Sequence, residues 1–310
     1  MSVFHRVLAI VGPTAAGKSV LAMRLAALVP IEIVSCDSQQ VYAGMDIGTG
    51  KPTIEERRAV PHHLLDVVVP TEAFDAARWA ALARVAIEHI TARGRVAVVV
   101  GGTGLYLRAL LTGLFEAPPP DPDIRQRHRR DANHLGVEAL HARLTQIDPA
   151  TAARVQPRDL QRISRALEVF EQTGIPISLL RARQTRSSDV SAAMLVLDPP
   201  LEVLRERIAR RFDAMIASGL VEEVRELRLR FGSDARALQA LGYRQIGEHL
   251  DGLLALEEAV AVAKAATSAY ARRQRTWFRK EATAWRCEVS PTADELLTWW
   301  HAAAPPPNLQ

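Results

Sequence analysis

An apolar run, Val7-Leu8-Ala9-Ile10-Val11, breaks at once into Gly12-Pro13-Thr14-Ala15-Ala16-Gly17-Lys18-Ser19. The spacing is G-x-x-x-x-G-K-[ST], with a β-forming stretch before it and a helix-forming one after it. It commits the chain to a strand, a phosphate-binding loop and a helix. The helix is legible in Val20, Leu21, Leu25 and Leu28, which recur close to a helical period. Gly12 and Gly17 let successive N–H groups and the helix N-terminus converge on phosphate oxygens. Lys18 adds a point charge, and the Ser19 hydroxyl suits a Mg²⁺ ion bridging that phosphate. The loop asks for a diphosphate or triphosphate. It leaves open which one, ATP and other nucleotides included.

With 310 residues, 48% of them hydrophobic, the chain can bury one large core or two smaller ones. No apolar run reaches the roughly 18 residues that cross a bilayer, and the apolar start is interrupted by Gly12-Pro13, unlike a signal peptide. A cytoplasmic monomer is expected. Cys36 and Cys287 are too few for a disulfide framework and lack zinc spacing. Only four of the 39 Lys and Arg are Lys, which leaves 35 Arg. Arg pairs bidentately with phosphate and stacks on bases, so a nucleic-acid partner is plausible, although a codon bias gives the same count.

Along the chain, Ile31-Glu32-Ile33-Val34-Ser35-Cys36 reads as a second strand with Asp37 and Ser38 at its carboxyl end. Ligands of open α/β sheets lie beyond that end. Asp37 there can hold a metal through water, take a proton, or cap a turn. Residues 39–52, beginning Gln39-Gln40-Val41-Tyr42, are polar and Gly-rich and read as a binding loop. His62 and His63 lie side by side on an extended segment and point to opposite faces, which suits structural roles better than a metal site. Asp75 caps a helix lasting to Gly94. The apolar run Val96 to Val100 then ends in Gly101-Gly102-Thr103-Gly104, placing Thr103 in the same crevice as Lys18, Ser19 and Asp37.

The proline cluster Pro118-Pro119-Pro120 marks a change. From Asp123 to about Thr185 only helical periodicity is visible, and between Asp121 and Asp189 twelve Arg oppose nine acids. Within this stretch residues 159–170 form an amphipathic helix, with Leu160, Ile163, Leu167 and Phe170 inward and Arg158, Arg162 and Arg165 on another face. Strands resume at Ala193. The expected fold is therefore α/β, a P-loop-containing parallel sheet flanked by helices, built from residues 1–117 and 191–300. An all-helical domain, residues 118–190, is inserted into it, and residues 301–310 form a disordered tail. On the following helix Arg207 and Arg211 are four apart and can reach one anion together. Ala240-Leu241-Gly242-Tyr243-Arg244-Gln245 sets an aromatic ring beside an Arg and an amide, a combination suited to a base and its backbone. A last long helix, Leu256 to about Glu281, ends in the basic, aromatic run Arg272 to Lys280.

Taken together, these stretches resemble the bacterial tRNA dimethylallyltransferases, also called tRNA isopentenyltransferases. The resemblance is carried by Gly12 to Ser19, by Asp37-Ser38-Gln39-Gln40-Val41-Tyr42 with Gly44 to Thr49, and by Gly101 to Tyr106. It continues in Gln161-Arg162-Ile163-Ser164-Arg165 with Ala166 to Val169, in Gly242 to Gln245, and in Arg273-Gln274-Arg275-Thr276-Trp277. The pieces stand in the family's order and span nearly the whole chain. Departures are Ala16 where Ser is expected, Ala43 where Arg is usual and Gly50 where Ala is usual.

The resemblance implies transfer of a dimethylallyl group from dimethylallyl diphosphate to N6 of adenine 37, beside the anticodon of tRNA. It makes Asp37 the base for the N6 proton and Thr103 a contact to the reacting adenine. Gly12 to Ser19, with Arg207 or Arg211, would take the diphosphate, with Mg²⁺ at Ser19. The anticodon stem-loop would meet Asp37, Ser38, Gln39, Gln40, Thr103, Arg125, Gln161, Arg162, Ile163, Ser164, Arg165 and residues 240–245. The competing readings are a P-loop nucleotide or small-molecule kinase, in which Asp37 activates a hydroxyl, and an RNA-binding NTPase switch. Against the switch, the strand ending at Val100 runs into glycine and threonine, where an NTPase carries the Asp for its Mg²⁺.

Overall fold

The computed structural model describes residues 5–115, 117–183 and 188–303. The chain divides into two compact units, Met1–Gly113 with Ser188–Gln310, and Leu114–Ser187. Val190 opens a strand of the first unit, so the second unit is shorter than the 118–190 span at its carboxyl end and begins earlier at its other end.

The first unit begins β1 (His5–Val11), α1 (Lys18–Ala26), β2 (Ile31–Cys36), α2 (Ile54–Ala59), β3 (His62–His63), α3 (Ala76–Ala92), β4 (Val96–Gly101) and α4 (Gly104–Thr112). The second unit supplies α5 (Pro122–Leu135), α6 (Val137–Ile147), α7 (Pro149–Ala152), α8 (Leu160–Thr173) and α9 (Ile177–Arg183). The first then resumes with β5 (Val190–Leu197), α10 (Leu201–Ala217), α11 (Leu220–Phe231), a 3₁₀ turn (Arg236–Gln239), α12 (Tyr243–Leu250), α13 (Leu256–Phe278), β6 (Trp285–Cys287) and α14 (Ala293–Ala302).

Six strands form one parallel sheet in the order β3-β2-β4-β1-β5-β6. Helices cover both faces, so β1 and β4 carry continuous apolar runs, and Val7 to Val11 are wholly buried. Leu8, Ile10, Val98 and Leu195 pack with Leu21 and Leu25 of α1 and Leu296 of α14. The register decides where the site lies. Val11 pairs with Gly101, and Cys36 pairs with Gly101 on its other side. The chain therefore leaves β1, β2 and β4 at one level, which puts Gly12, Asp37 and Gly102 on a single edge of the sheet.

Several sequence expectations need correction. Of the periodic residues, Val20 and Leu28 are 58% and 45% exposed, while α1 buries Leu21 and Leu25, with Ala22 beside them. The long helix α13 stops at Phe278, short of Glu281. Neither β6 nor α14 was expected, and His301 and Ala302 belong to α14, not to a disordered tail. Residues 304–310 of that tail lie outside the described residues.

The second unit packs Leu140, Leu144, Ile163, Leu167, Val169 and Ile177 into its own core. Asp121 caps α5, with Pro122 at the first helical position. Glu168 is fully buried and accepts from Arg125 at 3.0 and 3.2 Å, from Arg165 at 2.6 Å and from the Asp121 N–H at 2.7 Å. Burial alone would raise its pKa, but the hydrogen bonds from Arg165, Arg125 and Asp121 outweigh it and hold the carboxyl below its ordinary value.

The two ends of the first unit that flank this segment lie together. Ser188 Oγ donates to the Leu110 carbonyl at 2.7 Å. Arg84 donates to the carbonyls of Ala109 and Leu110 at 3.2 and 3.1 Å and pairs with Asp189 at 3.3 Å.

Candidate active site

The phosphate loop is shaped by conformations that few residues tolerate. Gly12 has φ of 142°, and a Cβ on it would lie 2.1 Å from the Leu197 carbonyl oxygen of β5. Gly17, at φ 96°, starts α1 with no capping side chain and no acid in the first turn. The positive end of α1 is thereby left for an anionic ligand. Lys18 lies back along the loop, its Nζ donating to the Pro13 carbonyl at 2.6 Å. Burial pushes its pKa down to about 8; the Asp37 charge acts upward and the Arg211 charge downward.

Both arginines of α10 reach this loop. Arg207 Nη1 lies 3.4 Å from the Ala15 carbonyl and 3.5 Å from that of Ala16. Arg211 lies 3.5 Å from Thr14 Oγ1 and donates to the Thr49 carbonyl at 3.0 Å, with its pKa lowered by burial and supported by Asp37. Gly50 makes room for it, because a Cβ there would sit 1.9 Å from Arg211 Nη2. Ser19 is exposed at the first turn of α1.

Across the edge, Asp37 Oδ1 accepts from the N–H groups of Gln39 and Gln40 at 2.8 and 3.4 Å, closing a turn at the end of β2. Thr103 Oγ1 accepts from the Ser38 N–H at 3.1 Å, and the Thr103 N–H donates to the Cys36 carbonyl at 3.2 Å. Asp37 and Thr103 are thus fixed together through Ser38. Beside them Ser38, Gln39, Tyr42, Phe74, Tyr106, Arg236 and Gln239 line a cavity of about 240 Å³. Tyr106 is stacked on Trp79 with ring centres 5.2 Å apart, so one wall is rigid and aromatic.

The 39–52 loop is held from below. Lys51, 8% exposed, donates to the Tyr42 carbonyl at 2.6 Å and pairs with Asp46 at 2.8 Å and Asp66 at 2.5 Å. Glu223 of α11 accepts from the N–H groups of Asp46, Ile47 and Gly48 at 3.0, 2.7 and 3.1 Å. Gln40 Nε2 donates to the Gly50 carbonyl at 3.2 Å.

Other residues singled out in the sequence are turned elsewhere. Tyr243 is 1% exposed, donates to Glu223 at 2.6 Å and packs on Gly48, where a Cβ would lie 2.5 Å from its ring. Gln245 is wholly buried and accepts from the Gly242 N–H at 2.9 Å. These two side chains brace the 39–52 loop and the start of α12; of this segment Arg244 is exposed. In α8, Ile163 and Ser164 face inward, Ser164 bonding to the buried His128 at 2.9 Å. The side chains of Tyr243, Gln245, Ile163 and Ser164 are thus buried in the protein itself. Gln161 and Arg162 are exposed, whereas Arg125 and Arg165 are tied to Glu168. The run at the end of α13 also splits. Arg272, Arg273, Arg279 and Lys280 are exposed, but Gln274 is buried and Arg275 pairs with Asp198.

A parallel sheet with a glycine-lysine loop at the carboxyl end of β1 defines a P-loop α/β protein. Residues 40–281 match the profile described as IPP transferase, and the chain belongs to that family. It is 52% identical over 276 residues to a tRNA dimethylallyltransferase of Anaeromyxobacter dehalogenans, covering 89% of this chain and 92% of that one. It is 47% identical over 279 residues to a tRNA dimethylallyltransferase of Sorangium cellulosum, covering 90% and 89%. Among solved structures it is similar to the tRNA isopentenylpyrophosphate transferase of Bacillus halodurans, at 39% identity and a TM-score of 0.68, over 96% of this chain and 95% of that one. A eukaryotic dimethylallyltransferase captured acting on tRNA matches with 26% identity and a TM-score of 0.73, over 96% of this chain and 76% of the other.

Proposed function

We propose that this chain is a tRNA dimethylallyltransferase that moves a dimethylallyl group from dimethylallyl diphosphate to N6 of adenine 37. The observation that carries the reading is the pairing on one sheet edge of an anion-ready loop bearing Lys18 with a carboxylate, Asp37, fixed to Thr103 through Ser38. A kinase would use the same loop, but family membership favours prenyl transfer.

In the proposed reaction the bond between C1 of the donor and its bridging oxygen breaks, and a bond from N6 to C1 forms. Diphosphate leaves with the electron pair, steadied by the N–H groups of the loop, Lys18 and the guanidinium of Arg207 or Arg211. Asp37 receives the N6 proton. Its Oδ1 is occupied by the turn N–H groups, so Oδ2 is the oxygen offered to the amine. Thr103 orients the adenine. The base must leave its stack in the anticodon loop to arrive there, and the aromatic cavity beside Ser38 and Gln39 suits nucleotides displaced with it.

The residues fit Mg²⁺ as an ion shared with the substrate. Among the described residues no three His, Cys, Asp or Glu side chains are gathered for a metal, while the exposed Ser19 hydroxyl at the helix N-terminus suits an ion that keeps water and phosphate ligands. When bound it would supply further neutralisation of the departing diphosphate. The exposed Gln161 and Arg162 are offered to the anticodon stem, with Arg125 and Arg165 setting the surface behind them. Action as a cytoplasmic monomer completes the proposal. Among the described residues no helix is long and apolar enough to cross a membrane.

The test is transfer to tRNA from purified dimethylallyl diphosphate with Mg²⁺ and ATP rigorously absent. Product is expected, and Asp37→Asn is expected to lower turnover ~10²- to 10⁴-fold with tRNA still bound. A strict ATP requirement, with ADP formed in step with product, moves the protein to the kinase reading.

A further inference from the structure

Beyond the ends of β1 and β4 the backbone ladder stops, yet the two loops that follow remain joined by one side chain. Gln274 Oε1 accepts from the Thr14 N–H at 2.9 Å, and its Nε2 donates to the Gly102 carbonyl at 2.9 Å. The amide acts as one more rung between the phosphate loop and the loop that carries Thr103. Its fit is close, for a Cβ at Gly102 would stand 2.2 Å from Gln274 Nε2 and 3.0 Å from the Gly12 carbonyl oxygen. Gln274 is 7% exposed and both ends of its amide are satisfied.

The same face of α13 touches the acceptor loop twice more. One turn earlier, the Tyr270 hydroxyl lies beside the Thr103 side chain. Nearly one turn later, Trp277 packs on Gly104, where a Cβ would lie 2.1 Å from its Nε1, and Arg108 covers its ring at 4.3 Å. The ion pair of Arg275 with Asp198, just past β5, anchors the same turn of the helix.

We propose that Gln274 is a positioning residue: it fixes the separation between the donor's loop and the acceptor's loop, so that C1 of the prenyl donor and N6 of adenine meet at bonding range. The inference rests on the prenyl-transfer reading above. Displacement requires reacting atoms about 3–3.5 Å apart, and a misplacement of about 1 Å costs on the order of 10²-fold in rate. Neither substrate touches Gln274 in this scheme, so binding of each is largely independent of it.

The experiment compares wild type, Gln274→Met and Gln274→Glu in steady-state transfer to tRNA, with melting temperature and amide hydrogen exchange measured on the same samples. Gln274→Met keeps the length and loses both bonds. Its kcat is expected to fall ~10²-fold with KM for tRNA and for donor within about threefold, and the Thr14 amide to exchange faster. Gln274→Glu keeps an acceptor for Thr14 but sets a carboxylate against the Gly102 carbonyl and nearer the diphosphate. It is expected to keep Thr14 protected, lower kcat and raise the donor KM. A kcat for Gln274→Met within threefold of wild type overturns the proposal. So does a loss that vanishes when each enzyme is assayed equally far below its melting temperature, or wild-type kinetics in Gln274→Glu. If wild type itself fails to transfer, the prenyl-transfer reading falls, and the clamp is judged by exchange alone. Faster exchange at Thr14 in Gln274→Met then sustains it, and unchanged exchange overturns it.

Discussion

Lys18 gives the site a pH dependence whose size follows from its surroundings. Burial in the loop holds the ammonium at about 8, so in the free protein it is mostly charged at pH 7 and about one-tenth charged at pH 9. A diphosphate engages only the charged form. Its apparent affinity should therefore fall about tenfold between pH 7 and pH 9, about 1.4 kcal/mol, and binding at pH 9 should take up close to one proton. Calorimetry with an inert dimethylallyl thiodiphosphate, in two buffers of different ionisation heat, reads both quantities. Lys18→Arg keeps the charge at pH 9 and should flatten the profile, while Lys18→Met should bind weakly at every pH. A flat affinity from pH 7 to 10 in the parent, or the same fall in Lys18→Met, would refute the reasoning. Folding follows the opposite direction from binding. Because the folded pKa lies below the unfolded value near 10.5, the unfolded chain holds more protons between about pH 8 and 10.5, and stability without ligand should rise across that window.

The remaining expectations concern the second unit and α12. Arg162→Ala should weaken tRNA binding and lower the slope of log affinity against log salt by close to one unit, as for a lost phosphate contact. Arg165→Ala should instead lower the melting temperature, because Arg165 holds Glu168; equal salt slopes for Arg162→Ala and the parent would mark Arg162 as surface only. Glu168→Gln should cost about 3 kcal/mol in denaturant unfolding, since it leaves two part-exposed guanidinium groups without their shared carboxylate. As the folded pKa of Glu168 is depressed, its contribution is present above the unfolded value near 4.5 and should disappear as pH falls through the folded one, which acid titration of parent against Glu168→Gln would reveal. Tyr243→Phe removes the hydroxyl from Glu223 and should cost about 2 kcal/mol of stability. An unchanged melting temperature with weakened tRNA affinity would return Tyr243 to the RNA surface.

The sheet and the place of the candidate site residues were legible for the same reason. The glycine-lysine loop, Asp37 and Thr103 each follow an apolar run, and a parallel sheet collects the carboxyl ends of its strands on one edge. What escaped was information carried by distant partners. Gln274 reaches residues 260 and 172 positions away, and nothing local distinguishes its amide from a solvated one. The Tyr243-Arg244-Gln245 stretch spans less than one helical turn, too short for periodicity to say which side chain points inward. Strand β6 is only three residues long. Helix α14, by contrast, carried a readable start in Thr292 with Glu295 three residues on, a capping box ahead of Leu296 and Leu297. Arg165 and Glu168 likewise sit three apart on one helix, so their pairing was visible beside the stripe of Arg residues.

Ser188 is bonded to Leu110, and Arg84 staples both Leu110 and Asp189. An excursion of more than seventy residues thus begins and ends at nearly one point of the α/β unit. Lengthening a loop between fixed ends costs little, about 0.6 kcal/mol for each doubling, so the excursion can grow, shrink or be exchanged with small effect on the strands at its root. The Arg84 staple then acts as a socket. A short glycine-rich bridge from Gly113 to Ser188 would leave the socket closed on itself.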